Sequence, residues 1–529
     1  VLVCGDEVYE TINKNAGSCL SAPTSMSLRL ITAFETIAIK TSFGQHAQPK
    51  FSRVSSITPP ETNPKRFSYI SMHVHPAMLD IFAPKLKNIL AKGTGTKIAL
   101  FDSYTKPILS SHVPHTTFLK NEFFLFQMLT DTRCRMQGLT CVIFAQPTSI
   151  YQIVCELREP KYGRYIVFFT SRVDEDVLEI MARSDTYAVV SEVYEMNIGV
   201  VKLDDMLYRV GGDNRMDGIM CVLSTLGICP KMIATAGMKD TVTQIMVHAS
   251  KFANRGTLIM LNRSFDPYTP LVHEWRYQPM IYEYLGSSNG IVTIDRTYVL
   301  NDAFFELNKF LDINTVSANL REFVTTTEKV PVDLSALSTA TKTKESLEKH
   351  LKLHNHIVKH CVDNKEISEI EMKIIRDNKM SSKQIEKVLS NEKLTREQKC
   401  KLVMIYLLRN PHKRNRPVFE KYTKAQQFVK KHTNAAVPTF REHVDIKLAY
   451  EPVITSVLGR ILKNKIDGSL CTVDTLKVSK PYVIYIDDIT FSEYRAISLF
   501  FRERNILDYV ILCDRIVNYA DMLNDDAKD

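Results

Sequence analysis

At 529 residues the chain is long enough for about three domains. Its 45% hydrophobic and 24% charged residues are ordinary for a globular protein, and no apolar run approaches the ~20 residues that span a bilayer, so no transmembrane helix is predicted. The eleven cysteines include no CxxC pair, which argues against a disulfide framework or a zinc site and favours reduced cysteines in a cytosolic protein.

The net charge of +9 is unevenly distributed along the chain. Residues 341–450 hold 25 Lys and Arg against 13 Asp and Glu, whereas the rest of the chain holds 43 against 46. One segment therefore carries the basic character, and it favours an acidic partner or an anionic membrane surface. A set of solvated helix faces explains the excess equally well.

The first 75 residues differ from the rest, since they are rich in Ser, Thr and Pro and do not begin with methionine. Acidic residues among them argue against a transit peptide. We expect residues 1–77 to form a poorly ordered extension, and an over-long gene model with an internal start at Met78 would account for it.

The next 130 or so residues alternate between short apolar runs and helical patterns. Strands are predicted at KIALFD, CVIFA, YIVFF and IGVVK, and helices at NEFFLFQML, SIYQIVCEL and DEDVLEIMARS. This alternation indicates βαβ units around a mainly parallel sheet, which we assign to a first α/β domain at 78–209.

Beyond residue 210 the alternation resumes, stops and returns. Helices at DGIMCVLSTLG and TVTQIMVHASKFA, the strand TLIMLN and a helix at 271–286, broken or bent near Pro279, come first. From about residue 300 to 465 the signals are helical, and strands YVIYID and YVILC flank the helix FSEYRAISLFFRER at the end. Since this closing piece is too short for its own core, its strands should join the preceding sheet. The predicted second domain is therefore 210–287 with 446–529, interrupted by a helical third domain at 288–445.

Two local features of the helical segment can be predicted residue by residue. One helix places a row of residues on a single face at steps of three and four, namely Leu347, Leu351, His354, Val358 and Cys361. Capping boxes are predicted at Ser381 with Gln384 and at Thr395 with Gln398.

No motif for nucleotide binding or catalysis is complete. GTGTK (93–97) precedes a strand instead of following one, GGDNRMDG (211–218) lacks phosphate-loop spacing, and no GxSxG elbow occurs. The pairs His350/His354 and His356/His360 have the spacing of two metal ligands, but nothing nearby completes a set.

Asp487 and Asp488 stand at the carboxyl end of a predicted strand, where open α/β sheets bind ligands. They are explained as well by the dipole of the helix that follows.

The polar elbow LNRSFDPYTPLVHEW (261–275) ends an apolar strand. Arg263 and Asp266 can pair with each other and with backbone at the sheet edge, Pro270 stiffens the turn, and Trp275 can wedge the next helix in place. Because no base or nucleophile lies near it in sequence, we interpret the elbow as architecture.

Three stretches share a resemblance: LIMLNRSFDPYTPLVHEWRYQPMIYEYLG (258–286), CELREPKYGRYIVFF (155–169) and YAVVSEVYEMNIGVV (187–201). They resemble the SM (Sec/Munc) family of syntaxin-binding regulators of SNARE-driven fusion, most of all its endosomal and Golgi branch, which is named for vacuolar protein sorting factor forty-five. The likeness covers roughly residues 78–529. Asn262 stands where the family usually has Asp, small residues are usual at Asp487 and Asp488, and the chain looks shortened around 410–445.

The resemblance implies an arch of two α/β domains with parallel, Rossmann-like sheets and one helical domain inserted in the second. It implies no catalytic activity, cofactor or metal. The expected partners are a syntaxin-like Qa-SNARE and the assembled SNARE complex, whose assembly the chain would template in endosomal, Golgi or vacuolar transport. The chain is expected to be a cytoplasmic monomer that reaches membranes through SNAREs and binds no nucleic acid.

The resemblance also implies three groups of site residues. A pocket for the SNARE's N-terminal peptide is expected at Val177, Leu178, Met181, Val201, Met206 and Leu207, although core packing explains about half of these. Arg158 and Lys161, with the helical hairpin near 325–345, are expected to face the SNARE-binding cleft. Arg263, Asp266, Pro270 and Trp275 are expected to form the junction between the second and third domains. The alternatives are a nucleic-acid-binding protein using 341–450 and a nucleotide-dependent enzyme on the α/β domains.

Overall fold

The structure, a computed structural model, describes most of the chain after residue 79. The described ranges are 80–210, 215–288, 290–328, 337–377, 380–432, 438–440, 448–466, 470–472 and 477–524. Every element below belongs to the unit Met78–Asp529. The predicted extension at 1–77 and the motif residues 211–214 lie outside the described residues.

A five-stranded sheet forms the first α/β region, in the order β2-β1-β3-β4-β5 with all neighbours parallel. Its strands are β1 (Lys97–Phe101), β2 (Phe123–Met128), β3 (Met136–Ala145), β4 (Tyr162–Phe169) and β5 (Val190–Glu195). Its helices are α1 (Ala83–Leu90), α2 (Thr105–His112), α3 (His115–Lys120), α4 (Ile150–Arg158) and α5 (Glu175–Ser184). Helices cover both faces, which explains why the central strands are continuous apolar runs.

The predicted helix at NEFFLFQML is wrong, because this segment forms strand β2. Three phenylalanines within it favour a pleated, half-buried strand, and β2 pairs in parallel with β1 at the sheet edge. Six consecutive strand residues could not be separated from a short helix by periodicity alone.

A seven-stranded sheet in the order β15-β8-β9-β16-β17-β7-β6 forms the second α/β region. Its strands are β6 (Val200–Asp204), β7 (Leu207–Val210), β8 (Ile228–Thr235), β9 (Asn254–Leu261), β15 (Leu470–Thr472), β16 (Tyr482–Ile489) and β17 (Tyr509–Ile516). Its helices are α6 (Arg215–Leu226), α7 (Lys239–Ala249), α16 (Val453–Leu462), α17 (Phe491–Arg502) and α18 (Tyr519–Asn524). Strand β16 pairs in parallel with β9 and with β17, which confirms that the closing strands join the earlier sheet.

The strand predicted at IGVVK exists as β6, but its assignment to the first domain's sheet is wrong. It pairs with β7, and β7 pairs with β17 in the second sheet. Sequence periodicity locates a strand but does not show which strand it pairs with, so periodicity could not reveal this error. The domain boundaries themselves stay a prediction.

The helix predicted at 271–286 is shorter than expected. Helix α8 (Tyr277–Leu285) begins only after a 3-10 turn at Thr269–Leu271 and five residues outside any helix. Pro279 therefore lies in the first turn, where it needs no backbone donor, and the bend predicted there is wrong.

The segment between the two parts of the second sheet is mainly helical, as predicted. Its helices are α9 (Ala303–Asn308), α10 (Ile313–Glu328), α11 (Leu337–Met372), α12 (Ser382–Leu389), α13 (Arg396–Arg409), α14 (Pro417–Glu420) and α15 (Thr423–Lys431), and its short strands are β10 (Ser287–Ser288), β11 (Ile291–Thr293), β12 (Thr297–Val299), β13 (Thr439–Phe440) and β14 (Tyr450–Glu451). Both predicted capping boxes are confirmed, at the starts of α12 and α13. No helix in the described part of the chain is long and apolar enough to cross a membrane.

Candidate partner-binding surfaces

The two cations predicted to face the cleft lie on a turn between α4 and β4. Arg158 is exposed, and Lys161 is half-buried with its Nζ 3.5 Å from Glu159. The Tyr165 phenol oxygen accepts hydrogen bonds from the backbone N–H groups of Lys161 and Tyr162, at 2.9 and 3.2 Å. A side chain of the sheet therefore fixes the backbone that presents these cations.

A buried charge network supports that tyrosine. The Tyr165 hydroxyl donates to Glu156 Oε1 at 2.5 Å, and the other Glu156 oxygen forms a buried ion pair with Arg133. Burial, followed by the Glu156 contact, raises the pKa of Tyr165, so the hydroxyl stays protonated and keeps donating. Sequence reasoning missed this network, although an acid on the apolar face of α4 was a signal for it.

Arg135 adds a third cation that sequence reasoning also missed. It is exposed next to Met136, whose N–H donates to the carbonyl of Lys161 at 2.7 Å. Because β3 and β4 bring these segments together, Arg135, Arg158 and Lys161 lie on neighbouring backbone. We call these three residues the basic turn.

Five of the six residues predicted to line the SNARE-peptide pocket fall into two hydrophobic clusters on opposite faces of the first sheet. Val177 and Met181 pack with the face that includes Ile98 and Leu100. The other buried members, Val201, Met206 and Leu207, pack with the cluster that includes the opposite-facing Ala99 and Phe101. One pocket lined by all six is therefore wrong, since β6 and β7 bury their side chains in the second region.

Leu178 is the member of this set that faces solvent, with 39% of its surface exposed, whereas Met181 retains only 5%. Two more exposed apolar side chains lie on and just beyond α5, Ile180 and Tyr187, of which Ile180 lies on a different side of the helix from Leu178. We call Leu178, Ile180 and Tyr187 the α5 surface.

Helices α10 and α11 form the predicted hairpin, and residues 329–336 at its tip lie outside the described residues. A groove of about 650 Å³ runs between the two helices. Its wall on α11 includes Leu351, His354, Val358 and Cys361, four of the five residues predicted to share one face.

Two histidines of α11 make hydrogen bonds to neighbouring elements. His354 Nε2 lies 2.6 Å from the Ser317 hydroxyl and joins the hairpin's two helices. His350 lies between the Tyr277 hydroxyl at 2.9 Å and the Asp302 carboxylate at 3.0 Å. These contacts give both rings a structural role.

The elbow connects separate parts of the second region. Arg263 donates to both oxygens of the buried Glu493 carboxylate on α17 and to the backbone oxygen of Asp488 at 2.5 Å. The predicted ion pair between Arg263 and Asp266 is therefore wrong, whereas the predicted backbone contact is confirmed. Although burial opposes it, the charge of Glu493 raises the pKa of Arg263.

Asp266 instead satisfies backbone donors. Its Oδ1 accepts from the N–H groups of Tyr268 and Thr269, and its Oδ2 accepts from the N–H of Val453 at 3.0 Å. Val453 begins α16, where the chain returns from the helical segment. The carboxylate thus holds the outgoing and returning chain together. Pro270 is buried beside it.

A second buried cluster lies beyond the elbow, and sequence reasoning missed it. Glu371 of α11 accepts from the backbone and the ring of His273 and from Lys401 of α13, at 2.8–3.0 Å. Burial alone would raise its pKa, but the charges of His273 and Lys401 hold the pKa of Glu371 at about 2. Trp275, which follows His273 closely in sequence, is half-buried and packs against the hydrophobic cluster of the α10–α11 hairpin.

Two acidic clusters elsewhere contain ion pairs with cations. Asp204, Asp205 and Glu306 are the one group in the described ranges with three candidate metal ligands, but the Lys309 ammonium lies 2.6 Å from Asp204 and 2.5 Å from Glu306. Asp488 pairs with Arg515, and burial followed by the Asp488 charge raises the pKa of Asp487 to about 6.

Two α/β regions built mainly on parallel strands, the second of which carries an elbow where a helical segment departs and returns, are the architecture of SM proteins. The chain belongs to the Sec1 family, whose sequence pattern matches residues 97–470. This agrees with the predicted family and fold class.

The sequence relatives include members of the branch that was predicted. Vacuolar protein sorting-associated protein 45 of Homo sapiens is 26% identical over 409 residues, which is 64% of this chain and 72% of the relative. The protein of the same name in Saccharomyces cerevisiae is 26% identical over 376 residues, 59% of this chain and 65% of the relative.

Solved structures share the fold at lower identity. The SM protein Vps45 in complex with the Qa SNARE Tlg2 (1-310) is 22% identical with a TM-score of 0.74, covering 84% of this chain and 97% of that one. The Unc18–syntaxin 1 complex of Monosiga brevicollis is 16% identical with a TM-score of 0.72, covering 84% and 98%. These relatives do not favour the nucleic-acid or enzyme alternative.

Proposed function

We propose that this chain binds a syntaxin-like Qa-SNARE and templates SNARE assembly in endosomal, Golgi or vacuolar transport, as a non-catalytic peripheral protein. The observation that carries the proposal is the SM fold of the unit Met78–Asp529, combined with Vps45 relatives at 26% identity. A solved structure of this fold holds a Qa SNARE, which supports the same class of partner here.

The first contact is the SNARE's N-terminal peptide on the α5 surface. Leu178, Ile180 and Tyr187 offer apolar area that no core residue covers. An apolar side chain of the peptide that packs there would remove both its own surface and the α5 surface from water, and such buried anchors dominate binding energy. Of the originally predicted pocket, Val177 and Met181 contribute by holding α5 in place.

The second contact is the cleft, to which the basic turn contributes Arg135, Arg158 and Lys161. Its cations complement acidic SNARE faces and mainly raise the rate of encounter. The α10–α11 hairpin is the opposing wall in this proposal. The residues Arg263, Asp266, Pro270 and Trp275 keep their proposed role as the junction on which that hairpin stands.

Calorimetric titration of the full chain with the cytoplasmic region of a Qa-SNARE from the same organism tests the proposal. Leu178→Arg should weaken binding at least tenfold, because it places a charge in an apolar contact. Deleting the SNARE's N-terminal peptide should have the same effect. Leu507→Arg is the matched control, since Leu507 is 50% exposed on a loop remote from α5 in sequence.

Three outcomes separate the parts of the proposal. Binding weakened by Leu178→Arg and by peptide deletion, but not by Leu507→Arg, supports the α5 surface. Binding indifferent to Leu178→Arg removes the α5 surface and leaves the basic turn, which Arg158→Glu then tests. Absence of binding to every Qa-SNARE of the organism refutes the proposed function.

A further inference from the structure

The cations of the basic segment 341–450 are concentrated in one stretch to which the proposed function assigns no role. Within residues 411–431 there are seven Lys and Arg and one acidic residue, Glu420. About half of the charge excess of 341–450 therefore falls in this stretch of α14, α15 and the turn before them.

The structure orients these cations outward. Helix α15 buries Ala425, Phe428 and Val429, so the opposite positions of the helix face solvent. Arg416, Lys421, Lys424, Lys430 and Lys431 are all exposed, and we call these five residues the basic face.

The basic face is not neutralised within the described part of the chain. No salt bridge to a described carboxylate involves any of its five members, and Lys424 donates to the backbone oxygen of Leu523 at 2.9 Å. Arg396, exposed at the start of α13, is close enough to Tyr422 for its charge to act on that phenol, which places a further cation beside the face.

We propose that the basic face docks the protein directly onto an anionic phospholipid surface, in addition to any attachment through SNAREs. Four of its five cations are lysines, which act as point charges on flexible stems and suit diffuse headgroup contact better than bidentate recognition. The described residues of α13–α15 expose no large apolar side chain, so the contact is electrostatic and does not insert. The same lack of exposed aromatic rings disfavours single-stranded nucleic acid, whose bases need stacking platforms.

Co-sedimentation of the full chain with vesicles tests the proposal without any SNARE present. Vesicles of phosphatidylcholine with phosphatidylserine should bind the protein at low salt, vesicles of phosphatidylcholine alone should not, and added salt should release it. Each neutralised cation should weaken binding about fivefold. The triple variant Arg416→Gln, Lys421→Gln and Lys430→Gln should therefore bind on the order of a hundredfold more weakly.

The matched control is Lys106→Gln, Lys120→Gln and Lys239→Gln, which removes the same charge from exposed sites on other helices. Equal weakening by both triples would overturn the proposal, because it would reflect net charge alone. Failure to bind anionic vesicles would also overturn it. So would a protein that binds duplex DNA but not vesicles, and that loses the DNA binding in the first triple variant. Qa-SNARE titration of the same triple stays unchanged, so a failure here is distinguishable from failure of the proposed function.

Discussion

The buried ion pair of the elbow allows a sharp test of its architectural role. In the variant Glu493→Gln, the side chain keeps its shape but loses its charge. The Glu493 carboxylate faces four donors in the wild type: two from Arg263, and the backbone N–H and the hydroxyl of Thr490. A glutamine amide offers one oxygen to these donors and turns its NH₂ toward the remaining one.

The expected cost follows from burial. Glu493 is 0% exposed and Arg263 is 7% exposed, so the guanidinium would remain in the interior without the carboxylate it contacts, and only the charges of Asp266 and Asp487 would still act on it. Removing one partner of a buried pair costs about 3–5 kcal/mol. With a urea slope of about 3 kcal/mol per M, the unfolding midpoint should fall by about 1 M or more.

Trp275 provides the readout, because it is the chain's only tryptophan and lies at the same junction. Urea unfolding followed by its fluorescence should show the shift for Glu493→Gln. The control is Glu179→Gln, which removes the same charge from the pair with Arg183, where the side chains are 59% and 77% exposed and water screens both. If the two variants shift the midpoint equally, the reasoning about the elbow is refuted.

Three further outcomes are expected. Burial, with the charges of Arg263 and Lys431, lowers the pKa of His432 to about 4, so the contribution of this residue to stability is present above pH 6.5 and is lost toward pH 4. About 1 kcal/mol of the free energy of unfolding should disappear between about pH 7.5 and 5.5, and His432→Gln should flatten that part of a melting-temperature profile. Thr395→Ala should cost about 1 kcal/mol by opening the capping box of α13, seen as a lower melting temperature. Tyr165→Phe should cost about 1–3 kcal/mol, because two N–H groups and one carboxylate oxygen lose a partner, and a melt unchanged from wild type would contradict the network.

Sequence patterns succeeded where the physics is local. Strands β1, β4, β9, β16 and β17 each contain an apolar run of four or five residues that pattern alone locates. Capping boxes are read within four residues, and both predicted boxes form. The fold class followed because alternating strands and helices admit few packing arrangements.

Long-range pairing was beyond those patterns. Strand β8 was missed because Pro230 and Lys231 interrupt its apolar run, although both of its neighbours, β9 and β15, are in place to pair with it. Strand β6 was found but placed in the wrong sheet. Arg263 was predicted to pair with Asp266, three residues away, whereas its partner Glu493 lies 230 residues further along the chain.

The candidate sites divide in the same way. Exposed Leu178 and Arg158 keep their proposed roles, because a residue's own helix decides whether it faces solvent. Val201, Met206 and Leu207 lost theirs, because the burial of a strand depends on which sheet it joins. Arg135 was overlooked since only the pairing of β3 with β4 brings it to the basic turn.

The contacts of the elbow bear on how a SNARE-binding cleft could work in this fold. Arg263 fixes the end of β9 to α17, Asp266 fixes it to the returning chain at Val453, and His273 fixes it to Glu371 of α11. The first two contacts join segments on either side of the helical insertion, the third joins the elbow to the insertion itself, and all three are buried. Loosening the base of the insertion would therefore expose uncompensated charge, at a cost of several kcal/mol. We accordingly expect motion during partner binding to occur within the α10–α11 hairpin and not at the elbow, so that the basic turn and the hairpin's base keep a fixed separation while the hairpin adapts.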